Sequence, residues 1–256
     1  MKQFVPGYYY FSSRFNSFFS AFIYFIKYWF SYLIVFVVLS DSTYISLDKQ
    51  VLSVLVSLLL FYSIYDVLCY LNDYVSIVNE GNNGVVRDSS ITKFEPYNWF
   101  RLFICSLFLF ILYETVNSSD FYLITISLFT LIFIFLIHNK ISAQYRVYSF
   151  YILYFLKPLI IGGWLISTTT PYLLVIFSAL YAFCYLPNYA KRKLNKGEVQ
   201  KYLKSVNPIL ISGIFLKSII GFALLLYNFN FFWFLLVQIS ATLIEILMKH
   251  YIVGNK

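Results

Sequence analysis

The chain has 256 residues, of which 61% are apolar, 23% aromatic and only 12% charged. An ordinary soluble domain is about half apolar and about a quarter charged, so this composition excludes a soluble enzyme, a disordered chain and a disulfide scaffold. The formal charge of +8 would suggest nucleic acid in a soluble protein. In a membrane protein it is first explained by topology, and we expect no nucleic-acid partner.

Apolar runs with few charges predict about eight membrane-spanning helices, because each crossing needs roughly 20 apolar residues. Their approximate positions are 18–39, 51–71, 99–117, 121–137, 148–166, 171–187, 209–227 and 230–248. The runs are apolar on all sides and lack the alternation of a β-barrel strand. We therefore predict an all-α, polytopic transmembrane helix bundle that forms a single domain over residues 1–256.

The basic residues predict which end of each span faces the cytoplasm. Most of the 19 Lys and Arg lie at the two termini or in the loops after the second, fourth and sixth spans. The opposite side carries Lys49 and the acidic residues of short connections. By the positive-inside rule, the N- and C-termini and the three large loops are cytoplasmic. We expect an integral, multi-pass protein of the inner (cytoplasmic) membrane.

The second predicted span continues into three acidic residues spaced by seven, Asp66, Asp73 and Glu80. On a helix this spacing places them on nearly one face, about 10.5 Å apart from one to the next. Such a stripe is suited to holding Mg²⁺, a hard cation that binds oxygen ligands, and through it a phosphate or diphosphate. The alternative is a solvated helix end with one acid paired to a lysine. Asp66, nearest the apolar run, requires a cavity or a partner.

Basic side chains in the other cytoplasmic loops are candidates for contact with a phosphorylated substrate. Six of them lie between Lys191 and Lys204, and among these Arg192 is suited to bidentate contact. This loop can equally be a topology anchor on the inner leaflet. In the fifth span, Lys157 precedes Pro158, and it either faces the bundle interior or extends to the cytoplasmic surface.

The acidic segment resembles the UbiA family of intramembrane prenyltransferases. The family signature N-D-x-x-D-x-x-x-D falls on Asn72, Asp73, Ser76 and Glu80, with Ser76 in place of the middle aspartate. The loop layout is similar over most of the chain, although the second acidic motif of the family is absent. Typical members have nine spans, one more than the number counted here.

A second likeness concerns the loop after the sixth span and the fifth span itself. Lys191-Arg192, together with Lys157 and Gly162-Gly163, looks more like the branch of the superfamily that transfers phosphoribose to polyprenyl phosphate. Phosphoribosyl transfer is therefore one alternative function. A non-enzymatic lipid carrier or transporter component is another, but the polar residues concentrate at the cytoplasmic end, which favours a one-sided site over a transport path.

The resemblance implies an enzyme that moves a prenyl group from a polyprenyl diphosphate to an acceptor, assisted by Mg²⁺, at the cytoplasmic face. It implies catalytic roles for Asp73, Glu80 and Asn72, and metal ligation by Asp73, Glu80 and Asp66. The substrate-binding residues that it implies are Asp66, Arg87, Lys140, Arg146, Lys157, Lys191 and Arg192. The expected partners are a polyprenyl diphosphate or phosphate lipid and the membrane lipid.

Overall fold

Helices make up the regular structure of every described part of the chain. The computed structural model describes residues 4–14, 21–22, 46–80, 96–141 and 143–164, and beyond these the positions 175, 178–179, 181–182, 186 and 189. Within these residues there is no strand. The predicted all-α class is therefore confirmed for the described part.

Within the described ranges, five α-helices and one π-helical turn follow one another. They are α1 (Tyr8–Arg14), α2 (Leu47–Glu80), α3 (Pro96–Thr115), α4 (Ser118–Lys140), α5 (Ala143–Pro158) and the π-helical turn Leu159–Gly163. The predicted spans 51–71, 99–117, 121–137 and 148–166 correspond to α2, α3, α4, and α5 with the turn. The spans 209–227 and 230–248 lie outside the described residues, as do 18–39 and 171–187 except for a few helical positions.

Three of the described helices are long and apolar enough to cross a membrane: Asp48–Tyr74 within α2, Pro96–Thr115 and Ser118–Lys140. The apolar stretch of α2 is 72% buried inside the structure, against 28% for α3 and for α4. α2 is thus the central helix of the described part, and α3 and α4 flank it. These helices identify a membrane protein, whereas the count of eight spans rests on the sequence alone.

The outer faces of α3 and α4 carry large apolar side chains. On α3, Phe103 is 67% exposed, and on α4 Phe129 is 67% exposed. Other exposed members of these faces are Trp99, Phe110, Tyr113, Tyr122, Ile126 and Phe133. In water such a surface would be an aggregation hazard, but in a bilayer it is the expected contact with lipid.

α3 runs antiparallel to α2, as contacts at both ends of α3 show. The hydroxyl of Ser53, near the start of α2, donates to Thr115 Oγ1 at the end of α3, at 3.1 Å. Farther along α2, the rings of Tyr70 and Tyr97 lie 5.7 Å apart edge to face. The C-terminal half of α2 therefore lies beside the first turns of α3.

The turn between α4 and α5 lies at that same end of the bundle. Phe135, near the end of α4, packs its ring 5.7 Å from that of Tyr65 in α2. Arg146 of α5 then holds the end of α4, since its Nε donates to the carbonyl of Ile141 at 2.9 Å and its Nη2 to that of Asn139 at 3.3 Å. We call this end, where α2 carries Asp73, the acidic end.

A proline explains the change of helix type at the end of α5. Pro158 has no amide hydrogen, and its ring clashes with the preceding turn of an α-helix. The chain continues helically but widens into the π-helical turn Leu159–Gly163, which packs against α2, α4 and α5. π-helical turns inside α-helices frequently lie at functional sites. This one directly follows Lys157 and Pro158 in the chain.

Candidate functional site

Asp66 is a fully buried carboxylate in the middle of α2, at 0% exposure. Its Oδ2 lies 3.0 Å from Nη2 of Arg101 in α3, and this ion pair is buried on both sides. Its Oδ1 accepts a hydrogen bond from the backbone N–H of Tyr10 at 2.8 Å, and its Oδ2 accepts one from that of Tyr9 at 3.4 Å. One carboxylate therefore joins α1, α2 and α3.

The contact between Asp66 and α1 satisfies a need of α1 itself. The first N–H groups of a helix have no partner within the helix, and a side chain at the N-cap usually accepts their hydrogen bonds. Here the residue before α1 is Gly7, which has no side chain to offer and adopts a left-handed φ of 85°. Asp66 takes the place of the missing cap, so that α1 is bound to the centre of α2.

Arg101 is held by more than its ion pair with Asp66. Its guanidinium carbon lies 5.0 Å from the centre of the Tyr97 ring, and its Nη1 donates to Asn98 Oδ1 at 3.3 Å. A buried ion pair needs good geometry and further contacts to offset the loss of water, and the ring of Tyr97 and the amide of Asn98 are two such contacts. Arg101 lies within α3 at 1% exposure.

Asp73 lies two turns beyond Asp66 on α2 and is 7% exposed. Its Oδ2 accepts a hydrogen bond from the hydroxyl of Tyr9 at 2.7 Å, and its Oδ1 accepts one from Nδ2 of Asn72 at 3.1 Å. Both donors are neutral groups, and they contact different oxygens of the carboxylate. Asn72, which the sequence analysis placed in the catalytic group, thus contacts Asp73 directly.

Lys157 of α5 is buried in the bundle at 1% exposure, so the first of its two predicted positions is confirmed. Its Nζ lies over three aromatic rings, 4.0 Å from the centre of Tyr154, 4.6 Å from Tyr65 and 5.7 Å from Phe61. Within the described part of the chain, this ammonium has no hydrogen-bond partner. Aromatic faces attract a cation electrostatically, and the attraction grows when water is excluded.

His138, near the end of α4, belongs to a hydrogen-bonded contact that the sequence analysis did not anticipate. Its Nδ1 lies 2.7 Å from the hydroxyl of Ser149 in α5, and its Nε2 lies 3.0 Å from that of Tyr189. The ring of Tyr189 stacks on Phe150, with 3.8 Å between the centroids. These contacts join three stretches of chain, and we interpret His138 as a structural residue.

The remaining predicted site residues divide into three groups. Lys140 is exposed at the acidic end, and Arg146 is half-buried with its guanidinium on backbone carbonyls. Glu80 is the last residue of α2, so Asp66, Asp73 and Glu80 lie on one continuous helix. The side chain of Glu80 is outside the described part of the structure. The predicted contacts Arg87, Lys191 and Arg192 lie outside the described residues.

The donor chemistry of the acidic end fits a hard cation at Asp73. Carboxylate oxygens are the ligands that such cations prefer, and Asp73 supplies a carboxylate at this end. Asp66, by contrast, uses its oxygens on Arg101 and on two backbone N–H groups. Among the described residues, no three His, Cys, Asp or Glu side chains come together as a metal-binding group.

Comparison with known proteins assigns no family to this arrangement. No protein-family model, no curated protein and no solved structure matches the chain. We therefore infer a function from the residues and contacts of the acidic end.

Proposed function

We propose that the chain is a UbiA-like intramembrane transferase, which moves a prenyl group from a polyprenyl diphosphate to an acceptor at the acidic end. One observation supports this more than any other. Asp73 is a buried carboxylate at the end of a membrane-long helix, oriented by two neutral donors, the hydroxyl of Tyr9 and the amide of Asn72. An oriented carboxylate at a membrane boundary is costly, and it is explained well by a cation that it binds.

The proposal assigns the predicted residues different roles. Asp73 and Glu80, two turns apart on α2, would hold Mg²⁺, which when bound neutralises the charge of the diphosphate as that group leaves. Asp66 would keep Arg101 and α1 in place instead of serving as a ligand, because its oxygens are already engaged. Positive charge for the diphosphate would come from Lys140, which is exposed at this end, and from Arg87, Lys191 and Arg192.

The reaction class follows from the chemistry of the donor. The bond between the allylic carbon and the diphosphate oxygen breaks, and the diphosphate leaves with the electron pair. A nucleophilic atom of the acceptor forms the new bond to that carbon and releases a proton to water. The chain contributes position and electrostatic stabilisation at the site of departing charge, which is usually the largest single term in such catalysis.

A second candidate, phosphoribosyl transfer to a polyprenyl phosphate, is favoured by the surroundings of Lys157. Its ammonium already occupies the faces of Tyr154 and Tyr65, at 4.0 and 4.6 Å. An allylic cation beside the same rings would be repelled by this like charge, whereas a phosphate would be attracted. The charge of Lys157 therefore favours a bound phosphate group over an allylic cation beside these rings.

The deciding experiment is an assay of purified protein in lipid nanodiscs with geranylgeranyl diphosphate, Mg²⁺ and a membrane lipid extract as the source of acceptor. Asp73→Asn is compared with Asp48→Asn, the same change at an exposed position at the other end of α2. We expect Asp73→Asn to lower Mg²⁺-dependent release of diphosphate at least 100-fold, while Asp48→Asn matches the wild type.

A parallel assay supplies polyprenyl phosphate and phosphoribosyl diphosphate to the same preparations. Product masses identify the reaction, since prenyl transfer and phosphoribosyl transfer add different groups. Consumption of the second pair alone would replace the first proposal with the second. Wild-type protein that consumes neither pair, with lipid binding that Asp73→Asn leaves unchanged, would identify a carrier and overturn both enzymatic proposals.

A further inference from the structure

Two buried polar side chains lie on neighbouring stretches of chain without a hydrogen-bond partner. Lys157 of α5 is 1% exposed, and Ser178 is 0% exposed. Within the described part of the chain, neither Lys157 Nζ nor Ser178 Oγ makes a hydrogen bond, to each other or to any other group. Buried polar groups in folded proteins almost always have a partner, so two such groups require an explanation.

The stretch that contains Ser178 packs antiparallel to α5 through aromatic rings. Phe150, in the first half of α5, stacks on Tyr189 with 3.8 Å between the centroids. Tyr154, one turn farther along α5, stacks on Tyr181 with 6.1 Å between the centroids. The contact partner thus moves back along the chain as α5 advances. In this stretch, the described positions 178, 179, 181 and 182 are helical.

This antiparallel register places Lys157 opposite Ser178. Lys157 follows Tyr154 by three residues, and Ser178 precedes Tyr181 by three residues. Residues three apart on a helix share a face, so both side chains belong to the faces that the tyrosine stack joins. Because Lys157 and Ser178 make no hydrogen bond to each other, both can donate to one further group between them.

The surroundings of Lys157 attract its positive charge without cancelling it. Its Nζ lies 4.0 Å from the centre of the Tyr154 ring and 4.6 Å from that of the Tyr65 ring. Ring faces attract a cation electrostatically, but they carry no net charge. An uncompensated charge inside a membrane bundle is costly, and an anion beside Nζ offsets that cost.

The two donors indicate which kind of anion fits. An ammonium and a hydroxyl can each donate to one oxygen of a carboxylate or a phosphate. One ammonium balances one negative charge, whereas a diphosphate brings two or more charges into the bundle. Lys157 also lies roughly 20 Å along the helix axis from the first residue of α5, among aromatic rings. The rest of the ligand is therefore expected to be apolar.

We propose that Lys157 and Ser178 form a binding site inside the bundle for the singly charged oxyanion of an apolar molecule. Two sources of such a group are the carboxylate of a fatty acid and the singly protonated phosphate monoester of an isoprenoid alcohol. The inference concerns binding alone and does not involve Asp73, so it does not depend on the proposed transfer reaction. A site that holds only water predicts no preference for a charged ligand.

The test measures ligand binding by native mass spectrometry of the full chain released from detergent micelles. Oleate and farnesyl phosphate are the two charged probes, and oleyl alcohol and farnesol are their uncharged counterparts. Lys157→Met and Ser178→Ala remove the two donors one at a time. Lys49→Met and Ser106→Ala make the same changes at exposed positions of α2 and α3.

We expect the wild type to bind at least one charged probe about ten times more tightly than the matching alcohol. Lys157→Met and Ser178→Ala should each weaken binding of that probe about tenfold, the loss typical of a hydrogen bond to a charged group. Neither change should alter binding of the alcohol, which has no charge to lose. Lys49→Met and Ser106→Ala should match the wild type.

The charged probe that binds more tightly identifies the source of the oxyanion. Equal affinity of the wild type for the charged probes and for their alcohols would overturn the proposal, as would unchanged binding of the charged probe in either Lys157→Met or Ser178→Ala. If Lys157→Met does not fold, Lys157→Gln takes its place, because it also removes the charge and keeps a polar side chain. Ser178→Ala removes a single hydroxyl and decides the proposal independently of the lysine variants.

Discussion

Asp66 and Arg101 form a buried ion pair between the central helix and its antiparallel neighbour, with Oδ2 and Nη2 3.0 Å apart. The pair lies within two apolar segments long enough to cross a membrane. An isolated charge would be costly to bury inside the membrane, and in an ion pair each charge offsets part of the cost of burying the other. The pair also fixes α1, because the same carboxylate accepts the first N–H groups of that helix.

Removal of Arg101 alone should destabilise the protein strongly. Arg101→Ala leaves the carboxylate of Asp66 buried without its counter-charge, and a loss of about 3–5 kcal/mol in the free energy of unfolding is typical of such a change. The double variant Asp66→Asn with Arg101→Gln should lose less, since it leaves no isolated charge. Denaturant unfolding in mixed micelles, followed by tryptophan fluorescence, measures both. A single variant as stable as the wild type would contradict the structural role of the pair.

Lys157 should matter for a phosphorylated ligand more than for stability. Lys157→Met keeps apolar contact with Tyr154 and Tyr65 and removes a buried charge, so the cost of keeping that charge out of water is removed as well. We expect the free energy of unfolding to stay within about 1 kcal/mol of the wild type or to rise. The half-saturating concentration of the phosphorylated donor should rise about tenfold, the loss of one charge-assisted contact.

The control for Lys157 is Lys140→Met, the same substitution at an exposed position at the acidic end. It should leave the free energy of unfolding unchanged. A loss of several kcal/mol in Lys157→Met, with an unchanged half-saturating concentration, would identify Lys157 as a packing residue alone.

The two ends of α4 should face opposite sides of the membrane. Asn117, in the turn before α4, and Lys140, its last residue, are both exposed. In a cysteine-free background, a membrane-impermeant maleimide added to intact cells should label Asn117→Cys and leave Lys140→Cys unlabelled until the cells are opened. Labelling of both positions from outside would contradict a membrane crossing by α4, and labelling of Lys140→Cys alone would reverse the predicted orientation.

The sequence by itself determined the class of the protein and the course of its central helix. Long runs without charge can satisfy their backbone hydrogen bonds in a bilayer only as helices or closed barrels, and the absence of alternation selected helices. Seven-residue spacing put Asp66, Asp73 and Glu80 on one helix, and α2 does extend through all three. The predicted spans 99–117 and 121–137 match α3 and α4 to within three residues. By contrast, α5 begins five residues before the predicted span 148–166, and α2 begins four residues before the predicted span 51–71 and ends nine residues after it.

Only the tertiary structure decided which charges meet. The sequence indicated that Asp66 needs a partner. It did not identify Arg101 as that partner, because the separation of two residues along the chain does not show whether they meet between α2 and α3. Nor did the sequence analysis single out α1 or Tyr9, since a short aromatic segment after Pro6 and Gly7 has no strong periodicity. These contacts depend on how antiparallel helices align, which sets the geometry at Asp73 and places the ammonium of Lys157 among aromatic rings.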